Sequence, residues 1–132
     1  MNGQGYILVV NDNDELRHRM CEFLQALNRN IKQTATGVEG LTMCRGERPA
    51  LVVLDYNLKK DGEGKTARHF IPDFRRECPG VPILVVSATD LELKPEELGV
   101  EDFLAINGHI PWGMPLIEKA RKLLGEVTTS AK

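Results

Sequence analysis

Three apolar runs of this sequence each lead into residues that can do chemistry. Those residues are Asn11 and Asp12 after the first run, Asp55 after the second and Ser87 after the third. Two carboxylates together with carbonyl and water oxygens suit Mg²⁺, a hard cation that prefers octahedral oxygen ligands. A carboxylate held there can also act as a nucleophile toward a phosphoryl group. The pattern therefore predicts metal-assisted phosphoryl chemistry centred on Asp12 and Asp55.

Each of these residues also has a structural interpretation, which the sequence leaves open. Asp12 and Asp14 can cap the helix that follows the first run, and Ser87 can bond the backbone at the end of a strand. Asp55 is harder to explain in this way. It directly follows Leu51-Val-Val-Leu54 and is drawn toward the buried sheet, where an unused charge is costly.

The hydrophobic pattern predicts the elements that position these residues. Short runs rich in β-branched residues predict strands buried on both faces at Tyr6–Val10, Leu51–Leu54 and Ile83–Val86. Two more mixed segments, Ile31–Ala35 and Asp102–Ile106, suit the edges of a sheet. Strands that alternate with helices predict a parallel sheet covered on both faces, whose ligands bind beyond the carboxyl ends of the strands.

Five helical patterns separate or follow these strands. They are Leu16–Leu27, Val38–Cys44, Phe70–Phe74, Leu91–Leu98 and Pro115–Leu124. Asn13 or Asp14 can cap the first helix, and Pro72 is expected in the first turn of the third. Pro95 is expected to interrupt the fourth pattern, which makes it the weakest of the five.

Length and composition predict one globular domain. The chain has 132 residues, of which 42% are hydrophobic and 27% charged, a mixture typical of globular rather than disordered chains. One domain over residues 1–126 with a polar tail at 127–132 is expected.

The net charge of −2 argues against direct binding to nucleic acid. Three separated cysteines fit a reducing compartment, and the sequence has neither a signal-peptide pattern nor a long apolar span. A cytoplasmic protein without membrane attachment is therefore expected.

Five segments, in order along the chain, resemble the receiver domains of two-component response regulators. They are Ile7-Leu-Val-Val-Asn-Asp12, Leu51-Val-Val-Leu-Asp-Tyr-Asn-Leu58, Asp61-Gly62, Pro82-Ile-Leu-Val-Val-Ser-Ala88 and Gly99-Val-Glu-Asp-Phe-Leu104. The resemblance covers nearly the whole chain. It implies a flavodoxin-like α/β fold, which is a doubly wound five-stranded parallel sheet in the order 2-1-3-4-5 with helices on both faces.

The resemblance also implies roles for single residues. Asp55 matches the phosphate-accepting aspartate, Ser87 the hydroxyl that hydrogen-bonds the bound phosphoryl group, and Phe103 the aromatic switch residue. Asp12 matches a carboxylate of the Mg²⁺ site, to which Asn57 contributes its backbone carbonyl. Mg²⁺ is thus the implied cofactor. The resemblance implies no enzyme beyond Mg²⁺-dependent self-phosphorylation and autodephosphorylation.

The sequence departs from the family pattern in and around the site. After Asp55 the usual Met-Pro step is absent, and Leu58-Lys59-Lys60 leads to Asp61 one residue early. Asn11 stands where the family usually has its first acidic residue, so that one negative charge is missing and Asn11 can hold the metal only weakly, through a water. The family's lysine after the fifth strand is also missing, because alignment from either side places Ile106-Asn107 or His109 there. Lys59 or Lys60 could substitute for it, but loop lysines usually point to water.

Two functions from different classes fit these features. The first is a single-domain response regulator that accepts a phosphoryl group at Asp55 from a histidine kinase or phosphotransfer protein. It would signal to a downstream protein through the face of the fourth helix, fifth strand and fifth helix. The second is a pseudo-receiver, an interaction module that signals without phosphorylation, which the missing lysine and Asn11 favour. A flavin-binding protein is disfavoured, because the acidic loop after the first strand would repel a flavin phosphate.

Overall fold

The computed structural model describes residues 5–88, 93–106 and 111–125. In these residues, five parallel strands form one sheet in the order β2-β1-β3-β4-β5. The strands are β1 Ile7–Val10, β2 Ile31–Thr34, β3 Leu51–Asp55, β4 Ile83–Ser87 and β5 Asp102–Ala105. The order and the parallel pairing confirm the flavodoxin-like sheet that the sequence predicts.

Burial explains which strands occupy the centre of the sheet. Every residue of β1, β3 and β4 is buried, as expected for apolar strands covered on both faces. β2 and β5 contain exposed or partly exposed residues and form the two edges. The mixed composition of Ile31–Ala35 and Asp102–Ile106 therefore identifies the edge strands, although each strand ends one residue before its segment does.

Helices cover both faces of the sheet. They are α1 Asp14–Leu24, α2 Gly37–Gly46, α3 Ala67–Glu77, α4 Pro95–Leu98 and α5 Gly113–Leu123. The apolar sides of α1 and α5 pack on one face of the sheet, and those of α2, α3 and α4 pack on the other. No helix in the three described ranges is long and apolar enough to cross a membrane.

The start of α3 corrects the predicted position of Pro72. The helix begins at Ala67, where the backbone N–H of Thr66 donates to Nδ1 of His69 (3.1 Å) and holds the first turn. Pro72 consequently lies in the second turn rather than the first, on the exposed side of the helix. A proline there cannot donate to the carbonyl of Arg68, and its exposure leaves that carbonyl close to water.

The last two helices also begin elsewhere than predicted. Pro95 opens α4 instead of interrupting it, because a proline suits the first turn of a helix, where the N–H has no partner. α5 begins at Gly113, two residues before Pro115. Residues 91 and 92 of the predicted fourth helix and the predicted tail at 127–132 lie outside the described residues.

Close packing between α2 and α3 holds the helix pair that borders the predicted site. The ring of Phe70, in α3, lies directly against the backbone of Gly37 at the start of α2. A β-carbon at Gly37 would lie 2.9 Å from three atoms of that ring, which is closer than packed carbon atoms approach. The absence of a side chain at Gly37 is therefore what lets the two helices come together.

Gly37→Ala is expected to destabilise the fold by about 1–3 kcal/mol, because the added methyl group must displace the buried Phe70 ring. The matched control is Gly46→Ala at the other end of α2, where nothing lies within 4 Å of an added β-carbon. That change should stabilise the helix by about 0.5–1 kcal/mol. Urea unfolding of both variants measures the difference. Equal effects of the two substitutions would contradict the close α2–α3 packing.

Candidate functional site

The carboxyl ends of β1, β3 and β4 bring together polar residues that the sequence singles out. Asp55 is the last residue of β3 and is only 6% exposed. Ser87, the last residue of β4, is completely buried, and Asp12 lies partly buried in the loop after β1. Asp55 pairs with Val86 in register, so Ser87 stands one residue further along the neighbouring strand. All three residues therefore lie at one edge of the sheet.

The carboxyl groups of Asp12 and Asp55 interact directly. Burial raises the pKa of Asp55 far above its ordinary value, to about 8, and the charge of Asp12 and a hydrogen bond between the two side chains add to the shift. The backbone of Asn57 and Tyr56 beside the Asp55 carboxyl group partly offsets this rise. In the metal-free protein at neutral pH, the pair therefore holds a proton.

The loop after β3 positions Asp12 and the backbone of Asn57 beside Asp55. An isolated antiparallel bridge joins Asn57 to Thr66. Backbone hydrogen bonds of 2.7 and 3.0 Å link the same two segments on either side of that bridge. The backbone N–H of Lys59 then donates to Oδ2 of Asp12 at 2.8 Å. The loop is thus hydrogen-bonded both to itself and to the acidic pair.

Asp61 ties the same loop to the start of α2. Its Oδ2 accepts from the backbone N–H of Gly37 (2.7 Å), and its Oδ1 accepts from that of Val38 (3.2 Å). The first N–H groups of a helix have no partner within the helix and attract negative charge. Asp61 lies within a segment that resembles the family, but nothing in the sequence pattern indicates this contact across more than twenty residues.

Asn11 is fully buried, and its side chain is engaged within the protein. Its Oδ1 accepts from the backbone N–H of Asn13 (2.9 Å), and its Nδ2 contacts Sδ of Met20 (3.7 Å). Its backbone carbonyl accepts from the guanidinium group of Arg17 at 2.9 Å. These bonds hold the turn that presents Asp12. A contact of Asn11 with a metal through water stays a prediction.

The sequence leaves open whether Asp12 or Asp14 caps α1. In the structure the cap is Asn13. The Oδ1 atom of Asn13 accepts from the backbone N–H of Leu16 at 2.9 Å. Asp14 is the first residue of the helix, and Asp12 faces Lys59 and Asp55 instead. Neither aspartate is therefore the cap, and Asp12 remains available for the site.

The basic side chains that border this edge bind Asp14. Its Oδ1 lies 2.8 Å from Nη1 of Arg17 and 3.2 Å from Nζ of Lys60, and these contacts lower the pKa of Asp14. Among the described residues, no lysine or arginine contributes to the pKa shift of Asp55. In this structure Lys60 thus pairs with an exposed carboxylate and does not take the place of the missing lysine.

Ile106, directly after β5, is one of the residues that the sequence predicts at the position of the family's lysine. It is buried, and its N–H donates to the carbonyl of Ser87 at 2.6 Å. Asn107 and His109, the other predicted occupants, lie outside the described residues. Phe103, the predicted switch residue, is partly buried on β5 and packs against the core on the side of α2, α3 and α4.

The donors at this edge fit one divalent cation that prefers oxygen. Two interacting carboxylates, one of them largely buried, concentrate negative charge that a hard cation would relieve. Asp12 and Asp55 could bind through carboxylate oxygens, and Asn57 through its backbone carbonyl. No cluster of three or more Asp, Glu, His or Cys side chains that could hold a metal occurs in the described part of the chain. Few protein ligands are thus present, which favours weak binding.

Comparison with known families gives one match. The family model of the response regulator receiver domain matches residues 7–105. The matched range includes Asn11, Asp12, Asp55, Asn57, Ser87 and Phe103. No curated protein matches the sequence.

Solved receiver domains share the fold. A CheY-like receiver domain protein from Methanospirillum hungatei is 18% identical, with a TM-score of 0.76 over 92% of this chain and 94% of that chain. The receiver domain of NtrX from Brucella abortus is 21% identical, with a TM-score of 0.73 over 92% and 99%. The beryllofluoride-activated receiver domain of RstA from Klebsiella pneumoniae is 23% identical, with a TM-score of 0.74 over 90% and 97%. At these identities the likeness shows the fold alone.

Without metal, the free energy of unfolding is expected to fall as pH rises from about 4 to about 8 because of Asp55. Its pKa is near 3.8 in the unfolded chain and about 8 in the folded protein. Between these values the folded state binds one proton more than the unfolded state, so raising the pH destabilises the fold. Asp55→Asn removes this contribution and should stabilise the protein at the upper end of the range by several kcal/mol, because one pKa unit corresponds to about 1.4 kcal/mol.

Urea unfolding with EDTA across this pH range measures the effect as the difference between wild type and Asp55→Asn. Asp14→Asn is the matched control, because Asp14 is exposed and its pKa is lowered instead of raised. That variant should keep the wild-type fall in stability. If Asp55→Asn keeps it too, Asp55 is not the group whose proton is lost.

Proposed function

This chain belongs to the response regulator receiver domain family, and we propose that it accepts a phosphoryl group on Asp55 from a histidine kinase or phosphotransfer protein. The observation that carries the proposal is the interaction of Asp55 with Asp12 at the carboxyl edge of the sheet. Burying one carboxyl group beside another is costly and contributes nothing to packing. Such a pair is expected where the carboxylate is used, as a nucleophile with a neighbouring metal ligand.

In the proposed transfer, a carboxylate oxygen of Asp55 attacks the phosphorus atom of a phosphohistidine. The new O–P bond forms while the P–N bond breaks, and the electron pair of that bond remains on the imidazole nitrogen of the donor. Asp55 must be ionised to attack, so the proton that the metal-free pair holds at neutral pH has to leave first. The backbone of Tyr56 and Asn57 lowers the pKa of Asp55 and so favours the ionised form.

Bound Mg²⁺ would neutralise the carboxylates and the phosphoryl oxygens during the transfer. The residues that would hold it are Asp12, Asp55 and the backbone carbonyl of Asn57, with Asn11 acting through a water. The Asn11 side chain is fully buried and already accepts from the N–H of Asn13. We therefore expect a small contribution from Asn11 and a weak metal site.

Ser87 and Phe103 are the residues through which the rest of the domain would respond. Ser87 would hydrogen-bond the phosphoryl group, and Phe103 would turn inward from its partly buried position. The face of α4, β5 and α5 would carry the change to a downstream protein. In that face, Nζ of Lys119 in α5 lies 3.1 Å from Oδ1 of Asp102 in β5, so the strand and the helix are joined beside Phe103.

This role is that of a signalling module in the cytoplasm. Receiver domains are generally not catalysts, and the expected chemistry is limited to self-phosphorylation and autodephosphorylation at Asp55. The proposed output is contact with another protein, without direct binding to nucleic acid or to a membrane.

A second candidate function is a pseudo-receiver that binds partners without being phosphorylated. The observation that favours it is the lack of positive charge beside Asp55. Among the described residues, no lysine or arginine interacts with that carboxyl group. A cation at this position would attract a phosphoryl group and stabilise the product. Phosphorylation of Asp55 is the property that separates the two candidates.

Radiolabelled acetyl phosphate is expected to label the wild-type protein in the presence of Mg²⁺ and not in EDTA. Asp55→Asn should abolish the labelling, because the nucleophilic oxygen is lost. Asp14→Asn is the matched control, since it removes a carboxylate next to the site that does not interact with Asp55, and it should retain the labelling. Folded wild-type protein that takes up no label at high Mg²⁺ concentration would make the pseudo-receiver the better account.

Asn11→Asp is expected to tighten Mg²⁺ binding by roughly tenfold, because it adds a carboxylate beside Asp12 and Asp55. It should also lower the stability of the metal-free protein, since the new charge replaces a buried amide. Calorimetric titration with Mg²⁺ measures the first effect, and urea unfolding measures the second.

Asn13→Asp is the control for general charge. Asp is as good an N-cap as Asn, and Asn13 is an exposed cap residue. This change should leave Mg²⁺ affinity nearly unaltered. Equal tightening by both substitutions would mean that Asn11 is not adjacent to the metal.

A further inference from the structure

Cys44 and Cys78 form a buried pair between α2 and α3, outside the acidic site. Cys44 lies near the end of α2, and Cys78 directly follows α3. They are 4% and 2% exposed and belong to the same core cluster. The two thiols are close enough for each to shift the pKa of the other. The Sγ atom of Cys78 also lies 3.2 Å from the carbonyl oxygen of Phe74.

Polar bonds on both sides hold these two helix ends together. Nε of Arg45, the residue after Cys44, lies 3.2 Å from Oε1 of Glu77, the residue before Cys78. The guanidinium group of Arg48 donates to the carbonyl oxygen of Pro79. The two chain segments, and with them the two cysteines, are therefore adjacent for reasons independent of the thiols.

We propose that Cys44 and Cys78 are a redox-active pair that hydrogen peroxide converts to a disulfide bond. The Cys78 thiolate first attacks one oxygen of the peroxide. The O–O bond breaks, hydroxide leaves, and Cys78 becomes a sulfenic acid. The Cys44 sulfur then attacks the Cys78 sulfur. The S–S bond forms as the S–O bond breaks, and the oxygen leaves as water after taking up a proton. The peroxide gains the two electrons that the thiols lose.

The order of the two steps follows from the surroundings of each sulfur. The interaction with the Cys44 thiol lowers the pKa of Cys78, as do the guanidinium groups of Arg48 and Arg75. The same interaction and burial raise the pKa of Cys44. Arg48 and Arg75 bind the carbonyls of Pro79 and Val81, just after Cys78. Since the thiolate is the reactive form and these cations favour it at Cys78, Cys78 is the residue that meets the peroxide, and Cys44 resolves the intermediate.

The burial of the pair selects the oxidant. With 4% and 2% of their surfaces exposed, the sulfurs are out of reach of oxidised glutathione in the folded protein, whereas hydrogen peroxide is little larger than water. Cys21 is the internal reference. It is also buried, but it lies in α1 on the opposite face of the sheet, where its core cluster contains no second cysteine among the described residues.

The test uses the full chain in its native state, treated with hydrogen peroxide and then alkylated after denaturation. Peptide mass spectrometry should find Cys44 joined to Cys78 and Cys21 alkylated. The midpoint of thermal unfolding should rise by roughly 5–10 °C and return after reduction with dithiothreitol. Oxidised glutathione should give neither change.

Single substitutions test the order of the steps. In Cys44→Ala treated with peroxide and then denatured in the presence of dimedone, Cys78 should carry the dimedone adduct of a sulfenic acid, whereas in Cys78→Ala, Cys44 should stay reduced. Cys21→Ala should form the same disulfide as wild type. Because the wild-type peptide map needs no variant to fold, it decides the outcome. A native wild-type protein without the Cys44–Cys78 bond after peroxide overturns the proposal, and so does a bond that forms only once urea has unfolded the chain.

Discussion

The interaction between the Asp12 and Asp55 carboxyl groups is the constraint on which the rest of the site depends. A central strand carries Asp55 to the edge of the sheet while keeping it 6% exposed, so its charge meets little water. Asp12 is held against it by the backbone N–H of Lys59, and Asp61 fastens the same loop to α2. These hydrogen bonds hold the two carboxyl groups close together, although repulsion between their like charges favours separating them. The loop is thus built to keep the carboxylates together, and only a proton or an added cation can relieve the charge between them.

The lysine and arginine side chains of the described residues do not provide that relief. Arg17 and Lys60 stand at this edge of the sheet but pair with the exposed Asp14. Arg17 also donates to the backbone carbonyl of Asn11, so its position is set by the turn that presents Asp12. Since these side chains already hold a carboxylate, moving either toward a phosphoryl group would break an existing pair. The two candidate functions differ in what supplies the missing charge. Phosphorylation requires a metal ion to enter, whereas an interaction module can keep the proton.

The parts of the site that sequence predicts are those with a local signal. An aspartate at the end of a run of apolar residues indicates a buried strand end, which is why the amino-acid pattern alone places Asp55 and Asp12 at the edge of the sheet. The edge strands follow for the same reason, from composition within four or five residues. The contact of Asp61 with α2 and the pairing of Cys44 with Cys78 have no such signal, because each joins residues more than twenty positions apart. The first residues of helices are predicted less well than the strand ends and better than these long-range contacts. They depend on single capping bonds, and a proline suits several positions near them.

The α2–α3 pair connects the acidic site to the thiols. Asp61 holds the start of α2 to the loop after β3, and Gly37 lets that start lie against the ring of Phe70. The ten residues of α2 then extend about 15 Å along the helix axis, to the end where Cys44 meets Cys78. A helix without an internal break transmits displacement along its axis, and the glycine contact leaves little room for sliding past α3. A covalent bond at the thiol end would therefore restrict the same helix whose first N–H groups anchor the site loop. The acidic site and the thiol pair are chemically independent, but both are attached to α2.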